Sequence, residues 1–211
     1  MAQKNVIFLH GFASSGMGTK GQYLGRRFRE APDVDFRAFD FTPTPRDFEY
    51  MTITGMINRL RQFVLLEKLE PFQLIGSSFG ALVGMNYAHR FRGVEKSLLL
   101  APALSYSSMA SSAEEAEKWR SQGVAQVVHY AFDQKLPLRY ELEIDGRLYA
   151  RMPRPTGPIT IIHGTSDEVV PVEHSRQYTA EYPDLVKLIE VDGGHDLNDY
   201  LDFIWQQVGL G

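Results

Sequence analysis

The sequence predicts an α/β domain built on a mainly parallel, roughly six-stranded sheet with helices on both faces. Short apolar runs, such as residues 6–9, lack polar alternation, which is typical of parallel strands covered on both faces. Longer segments with helical spacing of apolar residues separate these runs. A length of 211 residues suits one such domain with a core of its own.

The same alternation predicts the individual elements in chain order. Strands are predicted at residues 6–10, 34–39, 72–77, 96–101, 158–163 and 185–191. Helices are predicted at residues 19–29, 52–70, 79–90 and 173–182, and after Asp196, which is placed to cap a last helix. The helix at 52–70 is the clearest, because its apolar residues recur at three- and four-residue spacing and Pro71 ends it.

Residues 104–157 break the alternation. Residues 113–120 have a helical pattern, and Asp145-Gly146 predicts a hairpin between residues 140–144 and 147–151, because Asp-Gly favours two-residue hairpin turns. So short a segment supplies few core positions of its own. We therefore interpret it as a small cap, or lid, inserted over one end of the sheet within a single domain of residues 1–211.

Composition excludes several classes of protein. The chain has no cysteine, which excludes disulfides, thiolate metal sites and a cysteine nucleophile. Its net charge of −4 disfavours nucleic acid as a partner, and no apolar run reaches the roughly 18 residues of a membrane span. The apolar stretch at residues 6–9 is too short for the core of a signal peptide, so a cytoplasmic location is expected.

The segment Gly76-Ser77-Ser78-Phe79-Gly80 matches the pattern G-x-S-x-G between a predicted strand and a predicted helix. A serine at the centre of such a turn has a strained backbone and exposes its hydroxyl at the positive end of the helix. Ser78 is therefore the predicted nucleophile. Ser77 is the adjacent alternative, and a tight packing turn without catalysis would also explain the two glycines.

A serine nucleophile requires a base and an acid. His195 follows two glycines after the last predicted strand, and Asp167 follows the strand before it, so both lie where open α/β sheets place their ligand-binding groups. The chain order Ser78, Asp167, His195 is one of three known triad orders. Glu168 is the alternative acid. Two further acidic residues are expected to be loop or capping residues: Asp192 and Asp196.

Together these motifs resemble those of the α/β-hydrolase superfamily, and of its small bacterial serine esterases in particular. The similarity covers nearly the whole chain, through Phe8-Leu9-His10-Gly11-Phe12, the segment around Ser78, His163-Gly164 with Asp167 and Val170-Pro171, and Gly193-Gly194-His195. The resemblance implies that Ser78 is the nucleophile, Asp167 the acid and His195 the base. It also implies a trimmed version of a sheet that has up to eight strands in the superfamily, the first two antiparallel.

The resemblance further implies an oxyanion hole formed by the backbone N–H groups of Phe12 and Phe79. Acyl transfer builds negative charge on a carbonyl oxygen, and losing one aimed donor costs roughly 3–4 kcal/mol. The two phenylalanine rings are expected either to wall the acyl pocket or to pack in the core. The other histidines are expected in structural hydrogen bonds or at the surface: His10 and His163 in the first group, His89 and His174 in the second.

The insertion is rich in aromatic residues, and two interpretations remain open. Either these residues shape the substrate site, or they only anchor the insertion to the sheet; they are Tyr106, Trp119, His129, Tyr130, Phe132, Tyr140 and Tyr149. Three arginines either favour an acidic substrate group or form a solvated face: Arg147, Arg151 and Arg154. The glycine-rich residues 14–18 lack the pattern of a phosphate-binding loop.

The sequence therefore predicts a serine hydrolase of carboxylic esters or thioesters that forms an acyl-enzyme on Ser78. Such an enzyme requires no metal or organic cofactor, and it is expected to act on a small molecule as a monomer or homodimer. Two alternatives stay open. One is a ligand-binding protein that keeps the fold without turnover, and the other is an enzyme that uses the same triad for C–C bond hydrolysis or perhydrolysis.

Overall fold

The computed structural model describes residues 4–31 and 33–209, so the two ends of the predicted 1–211 domain and Pro32 lie outside the described residues. The strands are β1 (Lys4–Leu9), β2 (Val34–Phe39), β3 (Phe72–Ser77), β4 (Val94–Leu100), β5 (Val124–His129), β6 (Gln134–Arg139), β7 (Ile159–Gly164) and β8 (Val186–Val191). Six of them form one parallel sheet in the order β2-β1-β3-β4-β7-β8. The predicted fold class is confirmed.

Helices cover both faces of this sheet. They are α1 (Thr19–Arg29), α2 (Pro45–Glu49), α3 (Ile53–Leu66), α4 (Phe79–Arg90), α5 (Ala113–Gln122), α6 (Glu141–Gly146), α7 (Val172–Glu181) and α8 (Leu201–Gln207). Leu24 of α1 and Ile204 of α8 belong to the apolar core on one face. Leu60 of α3, Val83 of α4 and Tyr178 of α7 belong to the core on the other. Within the described residues, no helix has both the length and the apolar character needed to cross a bilayer.

The strand order reverses at β1, which pairs with β2 on one side and with β3 on the other. The chain moves to one edge of the sheet after β1 and to the opposite side from β3 onward. In open parallel sheets, such a reversal leaves a crevice beyond the carboxyl ends of the two strands. The loop after β1 and the turn after β3 flank this crevice.

The predicted hairpin in the insertion is wrong. Residues 141–149 form α6 and a 3-10 turn, Arg147–Tyr149, and the real hairpin pairs β5 with β6 in antiparallel fashion. Instead of forming a hairpin turn, Asp145 accepts hydrogen bonds from the N–H and the hydroxyl of Thr54, at 2.9 and 2.5 Å. Gly146 has a φ of −55°, which is helical and not the positive φ of a hairpin turn.

Three other elements differ from the prediction. The helix predicted at residues 52–70 ends at Leu66, so Pro71 does not end it. The short helix α2 was not predicted, although Thr44 and Asp47 form a capping box and Pro45 occupies its first turn. The last helix begins later than predicted, because Asp196 accepts a hydrogen bond from the N–H of Asn198 in a turn that precedes α8.

Candidate active site

Ser78 lies in the sharp turn between β3 and α4, with φ 51° and ψ −117°. This left-handed conformation is strained for a residue with a side chain. The turn also needs glycine on either side of the serine. A Cβ at Gly76 would lie 2.8 Å from the Cα of Ala81, and a Cβ at Gly80 would lie 2.3 Å from the carbonyl oxygen of Leu9. The local sequence therefore forms a turn that leaves the Ser78 hydroxyl at the carboxyl end of β3.

The structure brings Ser78, His195 and Asp167 together in one line of hydrogen bonds. The Oγ of Ser78 lies 2.8 Å from Nε2 of His195, and Nδ1 of His195 lies 2.7 Å from Oδ2 of Asp167. The carboxylate only accepts, so Nδ1 carries the proton and Nε2 accepts from the serine hydroxyl. The alternative residues are not part of this line: Ser77 is 7% exposed, and the side chain of Glu168 faces solvent.

The Asp167 carboxylate is fully buried and accepts from four donors. Oδ1 accepts from the backbone N–H groups of Val169 and Val170, both at 2.8 Å. Oδ2 lies within hydrogen-bond distance of His195 and of His163. Burial alone would raise the pKa of Asp167, but hydrogen bonds from Val170, His195 and Val169 outweigh burial and lower it. The acid is therefore charged and fixed in orientation.

His163, which was expected in structural bonds, also contacts this carboxylate. Its Nε2 lies 2.9 Å from the carbonyl oxygen of Val170 and 3.1 Å from Oδ2 of Asp167. Both partners only accept, so Nε2 carries the proton and Nδ1 accepts from the Ser175 hydroxyl at 2.7 Å. Burial lowers the pKa of His163, with bonds to Val170 and Asp167 opposing that shift. The sequence analysis did not predict this contact, although His163 and Asp167 are only four residues apart.

The predicted oxyanion donors lie on the two loops that meet at the crevice. A Cβ at Gly11 would lie 3.5 Å from the Cβ of Ser78, so the loop after β1 passes directly against the turn. Neither the N–H of Phe12 nor that of Phe79 donates a hydrogen bond to any residue that the structure describes. The Phe12 ring lies 5.8 Å from the ring of Phe79 and 5.6 Å from that of Phe48. Their role as an oxyanion hole stays a prediction.

Most aromatic residues of the insertion anchor it. Trp119 is buried and donates to the carbonyl oxygen of Leu138 at 3.0 Å, and His129 packs edge-on against Phe48. Tyr130 is different, because it is 79% exposed and lines a cavity beside His195. The three arginines that the sequence offered for an acidic substrate group are exposed at the surface of the insertion: Arg147, Arg151 and Arg154.

The cavity beside His195 has a volume of about 520 Å³. It lies between the loop after β1, the start of α1 and the loop that follows His195. Its polar lining comprises His10, Ser14, Ser15, Thr19, Lys20, Ser77, Tyr130, His195, Asp196 and Asn198. His10 is held in place by its own bonds, because Nε2 accepts from the N–H of Phe41 at 3.2 Å and Nδ1 donates to the carbonyl oxygen of Gly11 at 2.8 Å.

Comparison with known proteins identifies a family and a fold. The model of the uncharacterised protein family UPF0227 matches residues 5–210. No curated protein matches the chain. Among solved structures, a candidate hydrolase from Agrobacterium vitis S4 is 24% identical, with a TM-score of 0.82 over 98% of this chain and 87% of that one.

Two further structures have the same fold at lower identity. A monoacylglycerol lipase from Paleococcus ferrophilus is 16% identical, with a TM-score of 0.74 over 99% of this chain and 94% of that one. An esterase from Exiguobacterium antarcticum is 15% identical, with a TM-score of 0.71 over 98% of this chain and 91% of that one. The predicted resemblance to the α/β-hydrolase superfamily is confirmed at the level of the fold.

Proposed function

We propose that this chain, which belongs to the UPF0227 family and has the α/β-hydrolase fold, is a serine hydrolase of carboxylic esters or thioesters. One observation carries the proposal. A serine hydroxyl on a strained turn lies 2.8 Å from a histidine nitrogen whose other nitrogen lies 2.7 Å from a buried carboxylate. This arrangement aligns a nucleophile, a base and a group that orients the base.

Each group has a defined step in the reaction. Nε2 of His195 takes the hydroxyl proton of Ser78 as Oγ attacks the substrate carbonyl, and the Asp167 carboxylate stabilises the resulting imidazolium. The free N–H groups of Phe12 and Phe79 would stabilise the oxygen anion of the tetrahedral intermediate. His195 then returns the proton to the departing alcohol or thiol, which leaves an acyl group on Ser78. A water molecule, deprotonated by His195, releases the acid.

An esterase and a lipase have similar folds, which supports acyl transfer to water as the proposed reaction. A ligand-binding role without turnover is disfavoured, because it would need neither the charged, buried Asp167 nor its alignment with Ser78. Fold alone does not decide between reactions, so the nucleophile must be tested directly.

The test is to replace Ser78 with alanine and measure hydrolysis of p-nitrophenyl acetate and butyrate. Loss of the nucleophile should lower kcat at least about 1,000-fold, as removal of a triad serine does. The matched control is Ser121→Ala, which deletes the hydroxyl of an exposed serine on α5 outside the cavity and should retain most of the activity. A fluorophosphonate probe should label the wild-type protein on Ser78. Near-wild-type turnover by a folded Ser78→Ala protein would overturn the proposal.

A further inference from the structure

We propose that the cavity beside Ser78 and His195 binds a negatively charged group of the substrate through the ammonium group of Lys20. The inference rests on the proposed function, and it names the substrate class as esters or thioesters that carry a carboxylate or a phosphate. Lys20 was not singled out by the sequence, and it lies in the first turn of α1.

The position of Lys20 connects it to the reaction. Lys20 and His195 line the same cavity of about 520 Å³, together with Ser14, Ser15, Thr19 and Asn198. A group held there would lie beside His195, whose Nε2 is 2.8 Å from the Oγ of Ser78, which places the anion site next to the catalytic groups. A cavity of this size is within the range that holds small ligands.

Among the described residues, none lies close enough to the Lys20 ammonium group to form a hydrogen bond or an ion pair, and the charge of Asp196 acts on it only from beyond 4.0 Å. Lys20 is also partly buried. The hydroxyl groups of Ser14, Ser15 and Thr19 likewise donate no side-chain hydrogen bond to a described residue. Burial of an unpaired ammonium group is costly, and a bound anion would offset that cost. Hydroxyl groups and an ammonium group around one space are suitable donors for carboxylate or phosphate oxygens.

One carboxylate also lines the cavity, and its negative charge opposes the binding of an anion there. Asp196 lines the same space, and its oxygens accept from the N–H and the side-chain amide of Asn198, at 3.1 and 3.2 Å. Asp196 has these donors of its own, and none of its oxygens lies within 4.0 Å of the Lys20 ammonium group, so the two side chains form no ion pair. Removal from water lowers the pKa of Lys20, and the charge of Asp196 opposes that shift. A substrate anion in the cavity would, like Asp196, favour the charged form of Lys20.

The experiment compares pairs of esters that have similar shapes, one member of each pair carrying a negative charge. On the acyl side, the p-nitrophenyl half-ester of adipic acid is compared with p-nitrophenyl hexanoate. On the leaving-group side, 4-carboxyphenyl butyrate is compared with its methyl ester. In one of these two comparisons, we expect kcat/KM of the wild-type protein to be about tenfold or more higher for the charged ester. The comparison that shows this preference identifies whether the acyl half or the leaving group of the substrate carries the anion.

The preference should depend on Lys20. Lys20→Met, which keeps the chain length without the charge, should lower the ratio of charged to neutral kcat/KM to about one, and Lys20→Arg should retain a preference. Lys118→Met is the matched control, since it removes an exposed lysine of α5 outside the cavity and should leave the ratio unchanged. Raising the salt concentration from 20 to 500 mM should reduce the wild-type ratio, because ions screen the attraction.

The outcomes separate this inference from the proposed function. Equal kcat/KM for charged and neutral esters in both comparisons with the wild-type protein overturns the inference, whether or not the Lys20 variants fold. An unchanged ratio in Lys20→Met also overturns it. In both cases, hydrolysis that still depends on Ser78 leaves the proposed function intact. Hydrolysis that does not depend on Ser78 overturns the proposed function instead.

Discussion

Hydrogen bonds to both oxygens of the Asp167 carboxylate hold it in one position. Two backbone N–H groups hold one oxygen, and two histidines share the other. Because the tautomer of His163 is fixed by Val170 and Ser175, its Nε2–H group faces the carboxylate permanently. His163 is therefore a positioning residue, which acts on the reaction through Asp167.

Replacing His163 with leucine should lower kcat about 10- to 100-fold, because small misplacements of a reacting group have effects of that size. KM should change little, since His163 is fully buried and does not line the cavity beside His195. Steady-state kinetics with p-nitrophenyl butyrate check this prediction. His163→Gln keeps an N–H donor and should recover part of the loss. A leucine variant with wild-type kcat would show that the other three donors suffice to hold Asp167.

The roles of single residues were predictable where the pattern is local, and not where partners meet from distant segments. Ser78 is recognisable because strand, glycines and helix are adjacent in the sequence. Lys20 carries no such signal, because its significance comes from sharing a cavity with His195, far along the chain. The second role of His163 depends likewise on Ser175, which lies on the following helix.

At the scale of elements, the insertion shows how tertiary contacts override a local turn signal. Asp145-Gly146 favours a hairpin by itself, yet Asp145 bonds to Thr54 of α3, and Gly146 packs against the ring of Tyr106. Tyr106 in turn donates to the buried carboxylate of Glu143 at 2.8 Å. These contacts hold residues 141–146 against the rest of the protein as the helix α6. The sequence of the insertion by itself does not indicate this helix.

Gly146→Ala should therefore destabilise the protein by about 1–3 kcal/mol, as overpacking of a core does. The new Cβ would lie 2.3 Å from the Tyr106 ring, and the ring can move only by disturbing its bond to Glu143. Gly25→Ala is the matched control in α1, where the nearest atoms would be 3.6 Å away. That variant should be neutral or more stable by about 0.4–1 kcal/mol. Urea unfolding of both proteins measures the difference, and equal stabilities would contradict the proposed close packing.

For the molecule as a whole, the sheet was predictable because most residues of its inner strands β1, β3, β4 and β7 are buried and these strands contain short apolar runs, whereas the edge strands β2 and β8 also contain polar residues. The bounds of β2 and β3 match the prediction, and those of the other four strands differ by a few residues at most. The strand order and the attachment of the insertion were not predictable, since both depend on contacts between segments distant in sequence. Those contacts also leave His129 and His163 fully buried in the structure.

His129 and His163 are expected to give the stability of the fold a pH dependence that begins above the range in which carboxylates titrate. Burial is the main cause that lowers the pKa of both His129 and His163. His10 opposes protonation of His129 further, whereas Asp40 favours it. As the pH falls below about 6.5, the unfolded chain binds protons at these positions more readily than the folded protein does. Stability should therefore be fully present above that pH and decline below it.

The whole-molecule prediction is a decline of up to about 1.4 kcal/mol per pH unit for each buried histidine as the pH falls from 6.5 to 5. Urea unfolding at a series of pH values measures this slope. His129→Gln removes one titrating group and should make the slope shallower, whatever its effect on stability at pH 8. His89→Gln is the control, because His89 is exposed at the end of α4 and should leave the slope unchanged. An identical slope in wild type and His129→Gln would mean that the folded protein accommodates a charged His129.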